Sequence, residues 1–366
     1  MGGENYIGAL LTDREFSRDS SFTTDFTGYN RTASIDFSFN FLKNFYIGGM
    51  FTGFATREIS DTSFFDSQQR FGTENQYTAA FDGESYNDFS TYLYIKRSSD
   101  NYGFHTEFSS NGPAVRRDLG FLTRNNYTQL YTYHYYNIYP ESKIIRKIIP
   151  DITAGLQHNY DGIIKDEYLY PGITIEFHNG TRLWGNYIGI LNNETYGGQW
   201  LTDIKRWNAG IENYSLNEIG GGFFYEQGRS IVRFGSPPYI GQSQFLDAWV
   251  DIKPIDRIIS SFNYTYEELG ALDGNSLLYA GWVFRNTTRY QFNKNLFIRL
   301  VTQYDQFNDA FYFDPLISYK WNPFTVLYLG STHSFEQVDD ASINNKTVLK
   351  ESNRTFFLKF QYLWQL

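Results

Sequence analysis

One stretch of the sequence concentrates side chains that suit ligand binding. Residues 109–126 read SSNGPAVRRDLGFLTRNN and include Arg116, Arg117, Asp118 and Arg124. A guanidinium group presents its N–H donors in a planar fork, which suits anionic or hydroxyl-rich solutes. Loops of this length without strand-like alternation are uncommon and often functional. We interpret the stretch either as an inward-folded constriction that binds such a solute or, the favoured alternative, as a solvated external loop.

A row of tyrosines is the second candidate. Tyr127, Tyr131, Tyr133 and Tyr135 are spaced by even numbers of residues, so a β-strand would place all four on one face. Such a row can stack against sugar rings. It is also typical of the aromatic girdle that faces lipid at a membrane interface, and this alternative is favoured.

Catalytic and metal chemistry has less support. The five histidines lack metal-ligand spacing such as HExxH. A Ser/His or Asp/His pair can assemble across strands, but the sequence does not select the partners. The chain has no cysteine, which excludes disulfides, thiolate metal sites and a cysteine nucleophile. We therefore predict no catalytic residue, no metal site and no cofactor.

Composition narrows the class of protein. The net charge is −9 and the pI is about 5.1, with no long basic run, so nucleic acid is not an expected partner. The mean hydropathy is −0.46, and no stretch approaches the ~18 uninterrupted apolar residues that a membrane helix needs. A membrane barrel is not excluded, because half of its strand residues face a polar interior. Aromatic residues make up 20% of the chain, which favours strands.

The final segment has the clearest strand pattern. Its even positions are all apolar: Phe356, Leu358, Phe360, Tyr362, Trp364 and Leu366. The odd positions include Lys359, Gln361 and Gln365. This alternation lasts for ~11 residues, the length of a tilted membrane strand. An aromatic-rich strand at the chain end also resembles the closing strand of outer-membrane barrels.

Links between the strand-like segments alternate between short and long. The short links are residues 42–44, 178–180, 215–217, 253–256, 293–295 and 321–323. The long links are residues 16–30, 109–126, 193–202, 235–243, 267–276, 305–309 and 335–352. Short turns on one rim and long loops on the other are typical of outer-membrane barrels.

We therefore predict an all-β fold, a closed antiparallel transmembrane β-barrel of about eighteen strands, within a range of about sixteen to twenty. Its short turns and both termini are expected in the periplasm, and its long loops on the extracellular side. Residues 60–85 and 220–234 set the range, since each can be one strand or loop or can contain an extra hairpin. The last strand is expected to pair with the first, at residues 5–16, because an open sheet would leave unpaired amides in lipid.

The whole chain, residues 1–366, is predicted as one barrel domain in which residues 109–126 are the candidate inward-folded loop. Met1, Gly2 and Gly3 run directly into the first strand-like segment, and no secretory signal is visible. We interpret this start as that of a mature or trimmed chain. A trimmed chain would have further domains upstream.

Five short segments, spread over nearly the whole chain, resemble a known family. They are residues 7–14 (IGALLTDR), 116–124 (RRDLGFLTR), 296–299 (LFIR), 316–321 (LISYKW) and 325–330 (TVLYLG). These segments are similar to the C-terminal barrel of large Gram-negative outer-membrane proteins that carry an N-terminal carbohydrate-binding-like sandwich and a C-terminal domain of unknown function. The resemblance implies an outer-membrane barrel with residues 116–124 in the family signature. Members are often labelled membrane-associated hydrolases, but the family offers no established catalytic residues to transfer.

Three functions remain open. The favoured one is a non-enzymatic outer-membrane barrel that acts as a channel or a membrane anchor linked to glycan or solute handling. The second is an outer-membrane hydrolase with its site at the rim or in the lumen. The third is a component of a larger outer-membrane secretion or assembly complex. The expected partners are outer-membrane lipid, a small solute or glycan, and other proteins of the cell envelope.

Overall fold

The computed structural model describes residues 5–17, 26–63, 65–120, 122, 124–274, 276–322, 324–340 and 346–363. Within these ranges the chain forms 22 strands and one turn of 3-10 helix, Thr73–Asn75. No helix in the described part of the chain is long and apolar enough to cross a membrane. The predicted all-β class is confirmed.

The strands are numbered in chain order. They are β1 (Tyr6–Ser17), β2 (Phe26–Phe41), β3 (Phe45–Arg57), β4 (Arg70–Phe71), β5 (Tyr77–Thr78), β6 (Ser85–Arg97), β7 (Tyr102–Asn111), β8 (Tyr127–Tyr136), β9 (Ile145–His158), β10 (Ile164–Phe177), β11 (Thr181–Ile188), β12 (Leu191–Tyr196), β13 (Gln199–Leu201), β14 (Arg206–Asn213), β15 (Ile219–Val232), β16 (Tyr239–Ile255), β17 (Ile258–Ala271), β18 (Leu277–Gln291), β19 (Leu296–Asp305), β20 (Ala310–Asn322), β21 (Thr325–Asp340) and β22 (Lys346–Tyr362).

Twenty of the strands belong to one antiparallel sheet, and β4 and β5 form a separate two-stranded hairpin. Residues 189–190 separate β11 from β12, and residues 202–205 separate β13 from β14. If β11 and β12 are counted as one interrupted strand, and β13 and β14 as another, the sheet has eighteen strands, the predicted number. Among the described residues β1 pairs with β2 and β22 pairs with β21, and no pairing joins β22 to β1, so closure of the sheet by its last and first strands stays a prediction.

The chain divides into two compact units. The first comprises Met1–Ile138, Ile149–Gly172 and Ile188–Asp203, and the second comprises Tyr139–Ile148, Ile173–Tyr187 and Ile204–Leu366. In the first unit the pairing runs β1–β2–β3–β6–β7–β8–β9–β10–β12–β13. In the second it runs from β11 to β14 and then through β15 to β22 in chain order.

Strands β6 to β9 of the first unit have one apolar and one polar face. Phe108 lies directly opposite Leu130 in the ladder, and both are exposed, as is Phe89. Their polar neighbours Ser90 and Asn111 are buried on the other face, because successive side chains of a strand alternate between faces. Exposed large apolar groups with buried polar ones reverse the arrangement of a soluble core. We call the two surfaces the apolar face and the polar face.

Strands β20 to β22 of the second unit have the same inverted pattern. Phe356 and Leu358 are each 70% exposed, and Leu358 pairs with the exposed Leu329 of β21. Ser318 of β20, in contrast, is 2% exposed. The second unit therefore also presents an apolar face to its surroundings.

The short turn predicted at residues 42–44 is observed, and Leu42 and Lys43 adopt φ values of 48° and 59°. Positive φ values at consecutive residues are typical of the tight turns whose twist matches paired strands. The long link predicted at residues 335–352 is wrong, because β21 and β22 continue into it and keep their pairing. These strands have 16 and 17 residues, more than the ~9–11 that a tilted membrane strand needs.

The two segments of uncertain strand number are resolved. Residues 60–85 contain the extra hairpin of β4 and β5, and residues 220–234 lie mostly in the single strand β15. In the link between β3 and β6, the residues that follow β3 pair with the residues that precede β6. The amide of Glu58 donates to the carbonyl of Glu84 (2.9 Å), and Ser60 forms a bridge with Asp82.

Candidate solute-binding site

Residues 112–126, here called the β7–β8 loop, are attached to the sheet of the first unit. The amide of Gly112 donates to the carbonyl of Phe89 on β6 (3.0 Å). The amide of Ala114 donates to Oδ2 of Asp88 on the same strand (2.6 Å). The first four residues of the loop are buried. The start of the loop therefore packs against β6 and does not leave the sheet.

Asn30 of β2 fixes the middle of the loop. Its Nδ2 donates to Oγ1 of Thr56 on β3 (2.8 Å) and to the carbonyl of Arg116 (3.1 Å). Its Oδ1 accepts the amide of Asp118 (3.2 Å). Asn30 is only 2% exposed, and an amide buried to this extent is stable only with such partners. Residues 112–115 are buried and residues 116–118 are partly buried, so this part of the stretch is packed against the sheet and is not a solvated loop.

The charge of Arg116 is neutralised by carboxylates of the protein. Its Nε lies 2.8 Å from Oδ1 of Asp118, and its Nη1 lies 3.5 Å from Oε1 of Glu58. The same oxygen of Glu58 accepts the hydroxyl of Tyr86 (2.9 Å). The guanidinium also lies over the ring of Phe81, 5.0 Å from its centre. Arg116 thus fixes the loop and is not oriented for an anionic solute.

Glu58 is the most deeply buried acid of this cluster, with a side chain that is 2% exposed. Burial raises the pKa of Glu58, and the neighbouring carboxylates of Asp82 and Glu84 add to the rise, while Tyr86 and Arg116 oppose it. Its second oxygen, Oε2, has no hydrogen-bond partner among the described residues. Oxygens of Glu58, Asp82 and Glu84 lie within 4.8 Å of one another. Such an all-oxygen set could hold a hard divalent cation.

Arg117 is arranged differently from Arg116. Its Nη2 donates to Oγ of Ser90 and to Oδ1 of Asn111, each at 3.1 Å, and its guanidinium lies over Phe54 at 5.4 Å. It makes no ion pair with a described residue, and its buried Nε has no hydrogen-bond partner there. A cavity of about 170 Å³ beside it is lined by the loop and by β1, β2 and β3. Arg117 is therefore the arginine of the loop that retains charge for a ligand.

Arg124 lies at the far end of the loop, beside other strands. Its Nη1 donates to Oε1 of Gln157 on β9 (2.6 Å) and forms an ion pair with Asp166 on β10. Its Nη2 lies 3.9 Å from Glu194 on β12. The four predicted residues thus do not form one site. Arg116 and Asp118 fix the loop to β2 and to Glu58 just after β3, Arg124 fixes it to β9 and β10, and Arg117 faces the cavity.

The anchoring partners of the loop could not be found from the sequence. Glu58 and Asn30 lie 58 and 86 positions away from Arg116 in the chain. Neither residue is part of a motif with the arginines. Only the pairing of β2, β3 and β6 brings them to the loop.

The tyrosine row of β8 lies on the polar face. Tyr131 is directly opposite Glu107, while its neighbour Leu130 is 55% exposed on the apolar face. The row lies on the side of the sheet away from the exposed apolar residues, which favours the solute-facing interpretation over the lipid-facing one. Tyrosines of β6 and β10 extend the surface, which we call the tyrosine wall: Tyr92, Tyr94, Tyr131, Tyr133, Tyr135 and Tyr168.

Glycines across the ladder let rings of the tyrosine wall lie against the sheet. A methyl group at Gly103 would lie 2.2 Å from the ring of Tyr135, the residue directly opposite. A methyl group at Gly155 would lie 2.2 Å from the ring of Tyr168. An aromatic ring that covers a cross-strand glycine is a recognised arrangement in sheets. Because the ring rests on the backbone, its other surface can accept a ligand.

A carboxylate and an imidazole lie among these rings. The hydroxyl of Tyr92 donates to Oε2 of Glu107 (3.0 Å), and Nε2 of His105 lies 3.0 Å from the same oxygen. His105 stacks against Tyr94 at 5.8 Å between ring centres. The wall therefore combines flat apolar surfaces with hydrogen-bonding groups, the two features that bind a sugar or another polyhydroxyl solute.

No protein-family model matches this chain, and no curated protein matches it. Solved siderophore receptors have a similar fold. A mutant of the ferric enterobactin receptor PfeA from Pseudomonas aeruginosa superposes with a TM-score of 0.57 at 9% identity, over 91% of this chain and 62% of the receptor. The siderophore receptor PirA from Acinetobacter baumannii gives a TM-score of 0.56 at 7% identity, over 92% of this chain and 64% of the receptor.

The siderophore receptor PiuA from Acinetobacter baumannii gives a TM-score of 0.52 at 10% identity, over 92% and 64% of the two chains. The fold is that of outer-membrane β-barrel proteins. The predicted location in the outer membrane is confirmed with it, and the apolar faces are the surfaces that we expect lipid to cover. This chain spans just under two thirds of the length of these receptors. The resemblance of the five segments to the sandwich-bearing family stays a prediction.

Proposed function

We propose that this outer-membrane barrel is a passage for small hydroxyl-rich solutes, such as short glycans. The observation that carries the proposal is the tyrosine wall on the polar face, next to the anchored β7–β8 loop. Glu107 and the buried hydroxyls around it would be unfavourable on a surface that faced lipid, whereas water solvates them. We infer that the polar face borders water and that the loop narrows the route along it.

The chemistry of the wall supports a polyhydroxyl ligand. Aromatic rings have an electron-rich surface that attracts the weakly positive C–H groups of a sugar ring. Glu107 and the tyrosine hydroxyls can bind the hydroxyl groups at the edge of the same ring. Arg117 adds a positive charge for a ligand with a carboxylate or phosphate. Receptors for ferric enterobactin among the proteins of similar fold support a small solute as the ligand.

The test is ion conductance in planar lipid bilayers. We expect stepwise openings from the purified 366-residue chain, and a reversible block when maltohexaose is added. Replacing residues 113–120 by a short Gly-Ser linker should raise the conductance severalfold. Bilayers that stay silent at high protein load would remove the passage and leave the role of a membrane anchor.

Ligand binding by the wall is tested with a matched pair of tyrosine variants on β8. Tyr131→Ala should weaken the maltohexaose block by about 3- to 10-fold, the equivalent of about 0.5–1.5 kcal/mol for one aromatic contact. Tyr136→Ala removes an exposed tyrosine from the apolar face of the same strand and should leave the block unchanged. Equal effects of the two changes would contradict a binding role for the wall.

A further inference from the structure

The apolar face of β20 to β22 contains a group of polar residues. Ser331 of β21 lies directly opposite Phe356 of β22, beside the pair of Leu329 and Leu358. His333 follows on the same face. The ladder shifts register between Ser334 and Phe335, and such a bulge re-aims side chains. It brings Glu351 of β22 to the face that carries His333.

Ser331, His333 and Glu351 form a hydrogen-bonded series. Nε2 of His333 lies 2.9 Å from Oγ of Ser331, and Nδ1 lies 2.8 Å from Oε1 of Glu351. An ionised carboxylate can only accept, so Nδ1 carries the proton. Nε2 is then the acceptor for the serine hydroxyl. This is the arrangement of a nucleophile, a general base and the acid that orients the base.

The apolar surroundings of Ser331, His333 and Glu351 argue against a purely structural role for these polar residues. Ionisable groups on a face where lipid is expected are rare and are usually functional. The imidazole lies among aromatic rings, 6.0 Å from Phe313 and 5.9 Å from Phe356, where an apolar residue would fit. Nε of Arg354 donates to Oε1 of Glu351 (2.8 Å), which keeps that carboxylate ionised. Ser331 is 7% exposed, so neighbouring side chains must move for a substrate to reach it.

We propose that Ser331, His333 and Glu351 are a hydrolytic site that opens to lipid and cleaves acyl esters of lipids. The Ser331 hydroxyl gives its proton to Nε2 of His333 while its oxygen bonds to the ester carbonyl carbon. The carbon–oxygen bond to the alcohol then breaks, and the alcohol leaves with the proton from Nε2. Water attacks the acyl-serine by the same route and releases the fatty acid. Arg354, directly opposite His333 in the ladder, is the cation that can stabilise the oxyanion.

This site is independent of the proposed passage, and it departs from the favoured prediction of a non-enzymatic barrel. The assay uses the full chain in detergent with a p-nitrophenyl ester of a long fatty acid, and in vesicles of phosphatidylethanolamine with free fatty acid measured by mass spectrometry. A fluorophosphonate probe reports the nucleophile, and heat-dependent gel mobility reports folding. Wild-type protein should release fatty acid and carry the probe on Ser331.

Ser331→Ala should lower kcat by at least about 10³-fold and abolish labelling. Glu351→Gln should lower kcat with little change in KM, because the residue positions the imidazole without contacting substrate, and Glu351→Asp should recover part of the rate. Ser334→Ala, on the same strand but the opposite face, should keep full activity and labelling. Folded wild-type protein that neither hydrolyses nor labels, or equal activity in wild type and Ser331→Ala, would overturn the proposal.

Discussion

The polar face of the first unit and the apolar face of the second carry similar side chains in opposite surroundings. Around Glu107 and Tyr131, most neighbouring side chains carry hydroxyl, amide or carboxylate groups. Each hydrogen bond there contributes little net stability, because water can replace either partner. Around His333 and its polar partners lie the rings of Phe313, Phe335 and Phe356, and an unpaired polar group there would meet lipid. A polar cluster is therefore stronger evidence of function where its surroundings do not require polarity.

The comparison depends on the assignment of the faces, and a charge placed on each face tests it. Leu358→Arg puts a guanidinium on the apolar face of β22, where we expect a loss of about 2–4 kcal/mol in the free energy of unfolding from lipid bilayers. Gln361→Arg, on the opposite face of the same strand, should change it by less than about 0.5 kcal/mol. Denaturant titration in vesicles measures both. Equal losses would mean that the faces are wrongly assigned.

A smaller effect is expected from the residue that fixes the loop to the polar face. Asn30→Ala removes partners from Thr56, from the carbonyl of Arg116 and from the amide of Asp118. Leaving buried groups without partners should cost about 1–3 kcal/mol. Hydrogen exchange at residues 112–118 should accelerate, and conductance should become noisier. Thr32→Ala, on the same face of β2, is the control, and loop protection unaffected by Asn30→Ala would contradict the anchoring role.

The sequence predicted the parts of the fold that depend on local pattern. Alternation and tight turns gave the all-β class and the strand number, because both are set by neighbours in the chain. It failed where strands stay paired beyond the expected rim, as at residues 335–352, since length alone does not end a ladder. It could not decide the side of the tyrosine row, because alternation shows that residues share a face but does not show which one faces lipid.

The candidate sites depend on long-range pairing, which a single sequence does not contain. Arg116, Arg117 and Arg124 were identified as a group, but Arg117 meets residues of β3, β6 and β7, whereas Arg124 meets residues of β9, β10 and β12. The series of Ser331 and His333 has a visible i, i+2 spacing, yet Glu351 joins it only through a bulge between β21 and β22. Sequence reasoning could name the residue types of a hydrolytic pair and could not select their third member.

The smallest expected effects come from replacing Arg124 and Arg117, and they distinguish the roles of these two arginines of the loop. Arg124 is about one third exposed and is bound by Gln157, Asp166 and Glu194, so Arg124→Gln should cost less than about 1 kcal/mol of stability. It removes one positive charge from beside Asp166 and Glu194, and the reversal potential in a salt gradient should shift slightly toward cation selectivity. Arg117→Gln removes a charge that no described carboxylate neutralises, so it should weaken block by an anionic sugar more than block by maltohexaose. If Arg124→Gln alone had that selective effect, the ligand would bind at the β9–β10 end of the loop and the cavity beside Arg117 would be structural.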